Sequence, residues 1–467
     1  MLFALLAGSA AALRMQWDPW PLKAVLKPAE KGAHFRSVEF SPDNSSLIVR
    51  EFSNSATSNG NASFHILDLN SGTRRTSLEG LSDGHIWGPL FSPDGRRVLL
   101  AYDGTRTARI WNFKDGSLQC ELKGSPERIY NAIFSPDGTR LLTSNPLNTL
   151  QLWNAQTGAL LFSHPDPKGL DDYSFSPDGS RILHKIQDSE FEVRDTATFT
   201  PIFRNSHHHR YVREVEFSHD GKRIVSACKD FTNGVFDAET GQLLASLRRE
   251  EEYVQFAYFS DDDRWILTSS FDELRIYDAR TYELKFTHQA HFRTHIVSTE
   301  FSRDGRWLMI RGFDGNQHKG TVEDYVKVYR VGDWSDQVVL SAGRSVVFAQ
   351  YAPDETRIMI GFGSMAAVGV DIFDAATYTR LHTVKFGTGN RYPELKHSPD
   401  SQWILGVASD EKTLTLWHNR RPEWWWGVAW LPAFWATAGF TLVLAWSVWS
   451  DRKTLRKKNV LSATSAR

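Results

Sequence analysis

Cysteine is almost missing: Cys120 and Cys228 are the two in 467 residues, far apart and without CxxC spacing. That argues against a disulfide framework and against a cysteine-built zinc site. Charge of one sign is missing too. Lys and Arg number 54 against 55 Asp and Glu, a formal net charge of -1, so no broad basic surface is offered and no nucleic-acid partner is expected. Gly-x-Ser-x-Gly and His-Glu-x-x-His are absent, so catalytic groups would have to converge from separate segments, and no catalytic residue or cofactor is assigned. Long apolar runs are scarce. A mean hydropathy of -0.39 confines any membrane segment to one place.

What the chain has in abundance is a repeat. "FSPDN" at Phe40 recurs as "FSPDG" at Phe91, Phe134 and Phe175, "FSHDG" at Phe217, "FSDDD" at Phe259 and "FSRDG" at Phe301, then as "YAPDE" at Tyr351 and "HSPDS" at His397. Successive anchors lie 41 to 51 residues apart, the period of a four-stranded propeller blade rather than of a helical repeat. Each anchor aromatic ends a short alternating run. Ser-Pro-Asp-Gly then supplies a turn, with Pro presetting φ and Gly accepting a left-handed residue. A second strand follows at once ("RRVLLAY", "TRLLTS", "KRIVSA"), then a third ending in an aromatic and a polar residue ("LQLWNAQTG", "LRIYDARTY"), then a fourth ("ALLFSH", "QLLASLRR").

On these residues the chain resembles the WD-repeat β-propeller family from about Leu22 to His418. No copy has the literal Trp-Asp pair: the third strands end in Trp111-Asn112, Trp153-Asn154, Phe236-Asp237, Tyr277-Asp278, Phe373-Asp374 and Trp417-His418. The family's Gly-His is degenerate, which puts its buried hydrogen-bond set in question. The ninth copy stops after three strands, and "PLKAVLKP" (Pro21–Pro28) stands where an outer strand would complete it. The expected fold is all-β: a single propeller of about nine four-stranded blades over residues 21–419, with eight as the alternative.

The run Trp424–Trp449 breaks the pattern with 26 residues and no ionisable side chain. As a helix it spans roughly 39 Å, enough for a hydrocarbon core of about 30 Å, and it reads as a transmembrane helix. Trp424, Trp425, Trp426 and Trp430 mark one interface and Trp446 and Trp449 the other. Arg452, Lys453, Arg456, Lys457 and Lys458 crowd the tail 450–467, against Arg420 and Arg421 before the run, which puts the tail in the cytoplasm and the propeller outside. Residues 1–13 read as a signal peptide, with a short membrane-surface segment as the alternative.

Candidate sites each have a plainer reading. The imidazoles of "HHH" (His207–His209) cannot all face one ion on an extended segment, and His208 lies near the place where the resembled family keeps a structural histidine. "REEEY" at Arg249 and "DDD" at Asp261–Asp263 lack calcium-loop spacing. "GFGSMAAVG" at Gly361 lacks the Lys of a phosphate loop. No metal site is assigned. Expanded connections between second and third strands in blades 1 and 7 suggest a partner-binding sector carrying Asn61, Asp314, Asn316, Gln317 and His318; neutral surface insertions are the plain alternative.

The resemblance implies a non-catalytic protein-interaction scaffold, here held at a membrane by its C-terminal helix, with an unidentified protein partner. The alternative is a propeller receptor or enzyme with a small ligand at the central channel. The flanking charges predict that protease added outside intact cells or spheroplasts digests the propeller and spares a C-terminal fragment. A fully protected propeller would reverse the topology.

Overall fold

The computed structural model describes residues 22–418 apart from 29–32, 54–61, 70, 79–85, 103–106, 126, 128, 130, 146–148, 166–172, 188, 248–253, 271–272, 290–293, 317–320, 335–336, 341–344, 364–367, 388–394 and 408–412. Residues Leu22–His418 form one compact unit. Among the described residues there are strands and no helix, arranged as nine four-stranded antiparallel sheets. The chain is a nine-bladed propeller. Each blade meanders from first to fourth strand; blade 5, for example, runs Val212–Phe217, Arg223–Cys228, Asn233–Asp237 and Leu243–Ser246.

The anchor turn forms because its own side chains satisfy its backbone. In blade 3, Ser135 Oγ donates to Asp137 Oδ1 at 2.6 Å and accepts the Arg140 N–H at 2.9 Å, while Gly138 N–H donates to the Ser135 carbonyl at 2.7 Å. Ser135 is 2% exposed, so its hydroxyl stands in for water at a strand end. The fourth turn position is left-handed in every blade: Gly95, Gly138, Gly179, Gly221 and Gly305 occupy it where glycine is present, and Asn44, Asp263, Glu355 and Ser401 adopt φ of 53 to 58 where it is not.

Apolar layers lie between blades. Ile48, Phe64 and Ile66 of blade 1 pack on Val98, Leu100 and Trp111 of blade 2, and Leu99 and Ile110 of blade 2 pack on Leu141 and Trp153 of blade 3. Each fully buried aliphatic or aromatic side chain contributes about 1.5–3 kcal/mol relative to exposure.

A second device repeats at the residue after each turn. Arg181 of blade 4 reaches into blade 5, where Nη2 donates to the Gly221 carbonyl at 2.6 Å and Nη1 to the Ala238 carbonyl at 2.7 Å. Its guanidinium lies 5.4 Å from the centroid of the Phe217 ring. Arg97 does likewise to the Gly138 carbonyl and the Phe134 ring, and Arg223 to the Asp263 and Ala279 carbonyls and the Phe259 ring. In blades 6, 7 and 9 the same position holds tryptophan, and in blade 8 it holds Arg357. Trp265 meets Trp334 of blade 7 edge-on at 5.5 Å, and Trp307 meets Tyr378 of blade 8 at 5.7 Å. Trp334 and Tyr378 sit at φ of 55 in the turn before the fourth strand, as Phe199 and Tyr282 do at φ of 60 and 62 in blades 4 and 6, where blades 1, 2, 3 and 5 place glycine.

The ring closes as the sequence suggests. Leu22–Leu26 pairs antiparallel with Leu414–His418, Leu22 opposite Trp417 and Leu26 opposite Leu414, giving blade 9 its fourth strand. The segment 424–449 and its interfacial tryptophans, the tail with its basic residues, and residues 1–13 lie outside the described residues. Among the described residues no helix is long and apolar enough to cross a membrane.

Replacing Arg181 by Met keeps the aliphatic stem and removes both donors from two carbonyls of blade 5. The expected loss is ~2 kcal/mol, read as a lower denaturant midpoint at unchanged slope. An unchanged midpoint would reduce the staple to decoration.

Candidate functional site

In each first strand the residue before the anchor aromatic is free of the turn's requirements, and its identity varies: Glu39, Leu90, Ile133, Ser174, Glu216, Tyr258, Glu300, Gln350 and Lys396. Between blades 9 and 1 two of these form an ion pair, Lys396 with Glu39. Blades 5 to 7 differ. There Glu216, Tyr258 and Glu300 line a cleft of about 350 Å³ at the turn end of the first strands, with His219, Asp261 and Thr299 also in its wall.

Among the described residues neither Glu216 nor Glu300 carries a side-chain ion pair. Burial pushes the Glu216 carboxyl up to about 7, and Glu214 and Asp263 reinforce the shift, while His219 opposes it. Burial likewise raises Glu300 to about 7, reinforced by Asp261 and Glu355 and opposed by the Tyr351 N–H, which donates to its Oε2 at 3.1 Å. Tyr258, between them in chain order, donates its hydroxyl to the Thr299 carbonyl at 3.0 Å, with Thr299 Oγ1 2.6 Å away. Burial raises its pKa. Two carboxyls poised near neutrality can donate a hydrogen bond, accept one, or hold a cationic group. The nearby hydroxyl of Ser260 is already engaged: it donates to Asp262 at 2.7 Å and accepts the Trp265 N–H at 3.1 Å, so it serves the turn.

The histidine run resolves into alternation. His207 and His209 are exposed and His208 is 3% exposed. His208 Nε2 lies 2.7 Å from Ser226 Oγ, and Nδ1 lies 3.3 Å from Asp230 Oδ2 and 3.1 Å from Thr232 Oγ1. Cys228 completes a group whose His, Cys and Asp ligand atoms lie within 4.8 Å of one another. As a metal site it is already taken up. Burial pushes the Cys228 thiol up to about 12, and it donates to the Arg210 carbonyl at 3.2 Å. The Phe236 ring stands edge-on to His208 at 6.3 Å. Blade 3 holds a different buried pair, Trp153 Nε1 donating to Thr143 Oγ1 at 2.8 Å. Of the "DDD" run, Asp263 accepts the His219 and Asp220 N–H groups of blade 5 at 2.8 and 2.6 Å, a tie between blades rather than a cation loop.

The predicted sector is placed in part. Asp314 and Asn316 lie in the second strand of blade 7, opposite Glu323 and Thr321, so the expected loop is mostly an extended hairpin. Asn61, Gln317 and His318 lie outside the described residues. Glu216, Tyr258 and Glu300 were missed; the signal was an acid directly before an anchor phenylalanine.

Comparison with known proteins agrees with this geometry. The WD domain, G-beta repeat family model matches residues 199–237, which contain the His208, Ser226, Asp230 and Phe236 knot. WD repeat and SOCS box-containing protein 1 of Takifugu rubripes is 31% identical over 107 residues, 23% of this chain and 25% of that protein. An uncharacterized WD repeat-containing protein of Deinococcus radiodurans is 28% identical over 145 residues, 25% of this chain and 54% of its own length. Two solved structures share the fold: the C-terminal WD40 domain of Sif2 (TM-score 0.52, 14% identity, 86% of this chain and 99% of that one) and a eukaryotic initiation factor (TM-score 0.61, 16% identity, 76% and 90%). The chain thus resembles the WD-repeat β-propeller family, while matching only about a quarter of the Takifugu relative's length.

The raised carboxyls fix a sign for pH dependence. Their ordinary value is 4.5 and their folded value about 7, so the folded state holds more protons between those limits, and stability falls as pH rises through that window. Glu216→Gln with Glu300→Gln removes this loss. The double variant is expected to be ~1–3 kcal/mol more stable than the parent at pH 8, with the gap gone near pH 4.5, by denaturant titration at both pH values. A gap of equal size at both would refute the assignment.

Proposed function

We propose that this protein is a non-catalytic interaction platform, a rigid nine-bladed ring whose outer strands present contact surface to protein partners. One observation carries the reading. On four successive blades the fourth strand exposes aliphatic side chains soon after the preceding turn: Leu118, Leu160 with Leu161, Ile202, and Leu243 with Leu244. Each strand is also a sheet edge, so an apolar band coincides with backbone groups open to pairing. Extended apolar patches of this kind on a soluble surface mark contact sites.

The ring is held at a membrane by the 424–449 run, with the propeller outside and the basic tail in the cytoplasm. The support is the uncharged length, the tryptophans at both ends and the asymmetry of flanking charge. The cleft of Glu216 and Glu300 supports a second reading, a receptor for a small cationic ligand. A perturbed acid pair in a concave site is its specific observation.

The platform reading is tested by affinity purification from detergent-solubilised membranes with the parent and a Leu161→Asp/Leu244→Asp variant. Partners bound to the parent should be lost from the variant while its melting temperature is unchanged. Full retention would direct attention to the cleft, where small amines titrated calorimetrically would have to bind the parent and not the Glu216→Gln/Glu300→Gln variant.

A further inference from the structure

At the ring closure an acid and a lysine from adjacent first strands bind each other. Lys396 precedes the anchor of blade 9 and Glu39 the anchor of blade 1, and across that junction the Lys396 ammonium donates to Glu39 Oε1. Tyr258 of blade 6 and Glu300 of blade 7 occupy the same two positions, one blade step apart, as the residues before Phe259 and Phe301. All four side chains are half-buried. Between blades 6 and 7 the acid is kept and a phenol replaces the lysine, so the position that supplies an ammonium to Glu39 supplies none to Glu300. Glu216, before Phe217 of blade 5, adds a second acid at the position one blade earlier.

The cleft that these residues line holds about 350 Å³. That is near the lower end of the ~300–1,000 Å³ of small-ligand pockets, so it suits a side chain or a small molecule rather than a large cofactor. Among the described residues no lysine or arginine lines it. The charges acting most strongly on the two carboxyls are Glu214 and Asp263 at Glu216, and Asp261 and Glu355 at Glu300; His219 is the one opposing group. The oxygens in the wall come from three blades. Tyr258 donates its hydroxyl proton to the Thr299 carbonyl at 3.0 Å, which leaves the phenol oxygen to accept. A primary ammonium is a compact charge with three donors and no acceptor, able to meet acceptors from separate directions. A guanidinium sets its five donors in one planar fork that favours a single carboxylate. Phe259 and Phe301 give the wall an apolar part, fit for an alkyl stem behind the charge.

We propose that the cleft of Glu216, Tyr258 and Glu300 binds a primary ammonium on an alkyl stem, carried by a partner's lysine side chain or by a free alkylamine, in the role that Lys396 plays toward Glu39. This rests on the second reading above, a receptor for a small cationic ligand, and names the class of cation.

The test is calorimetric titration of the full chain in detergent micelles at pH 8 and constant ionic strength, with n-butylamine, N-acetyl-lysine amide, guanidinium and tetramethylammonium as chloride salts. At least one of the two primary amines binds the parent at least about tenfold more tightly than guanidinium or tetramethylammonium does. If the lysine amide is the tighter of the two the source is a lysine side chain, and if butylamine is the tighter it is a free amine. Glu216→Gln/Glu300→Gln weakens amine binding by at least about tenfold. Tyr258→Lys sets a lysine one blade step from Glu300, as Lys396 stands to Glu39, and weakens amine binding to the same degree by occupying the site from within. Amine affinity unchanged in the glutamine variant overturns the proposal, as does unchanged affinity in a Tyr258→Lys chain whose circular dichroism matches the parent. Guanidinium or tetramethylammonium binding as tightly as the amines overturns the ammonium assignment and leaves the cation receptor standing. Failure of all four probes to bind overturns both.

Discussion

The pairing of Leu22–Leu26 with Leu414–His418 joins the two ends of the propeller unit, whereas the other blade interfaces join neighbours in sequence. Its loop-closure cost is the largest in the molecule, and the interface is correspondingly overdetermined. Strand hydrogen bonds are backed by an apolar cluster uniting Phe35, Val38 and Leu47 of blade 1 with Trp403, Leu405 and Leu416 of blade 9. The Lys396–Glu39 ion pair and the Asp400 N–H donated to Asn44 Oδ1 at 3.1 Å add polar register. Without that closure blades 9 and 1 would each present an open face.

Between those ends the ring is held by one position used in two chemistries. In blades 2 to 5 an arginine after the anchor turn reaches carbonyls of the next blade, Arg140 doing so to Thr196. In blades 6 and 7 tryptophan fills the same place and packs on an aromatic held at positive φ. A left-handed aromatic costs of order 1–2 kcal/mol relative to glycine, so its stacking must offset that cost. Phe286 against Trp334, stacked at 4.8 Å and 16°, shows the contact that does so. Exposed aliphatic side chains stand on the fourth strands of blades 2 to 5, the arginine-stapled arc, and recur at Val339 of blade 7 and Leu381 of blade 8.

Legibility followed locality. The anchor turn was readable because its serine, aspartate and left-handed residue satisfy one another within six residues, and closure was readable because a three-stranded ninth copy needs a partner. His208 was readable from its offset to Phe217, but its partner Asp230 was not, since the pairing spans the sheet. The blade 7 hairpin was misread as loop because Asp314, Gly315 and Asn316 are turn residues by local preference, and pairing with Thr321–Glu323 overrides that preference. The raised acids were the least readable: Glu216 and Glu300 owe their shifts to burial, to Glu214 two residues before Glu216, and to carboxylates in the turns of neighbouring blades.

That last contrast indicates where chemistry can vary in such a ring. The turn serine and aspartate are tied to the fold; Asp178, held down to about 2 by Ser176 and Ser180, stabilises above its ordinary value of 3.8 and loses that contribution in acid. Glu216 and Glu300 act in the opposite sense, destabilising as pH approaches 7. The fold tolerates leucine, isoleucine, serine or glutamine at the equivalent positions of Leu90, Ile133, Ser174 and Gln350, so nothing in blade construction demands an acid there. The residue type that lowers stability near neutrality thus stands at a position where the architecture accepts neutral alternatives.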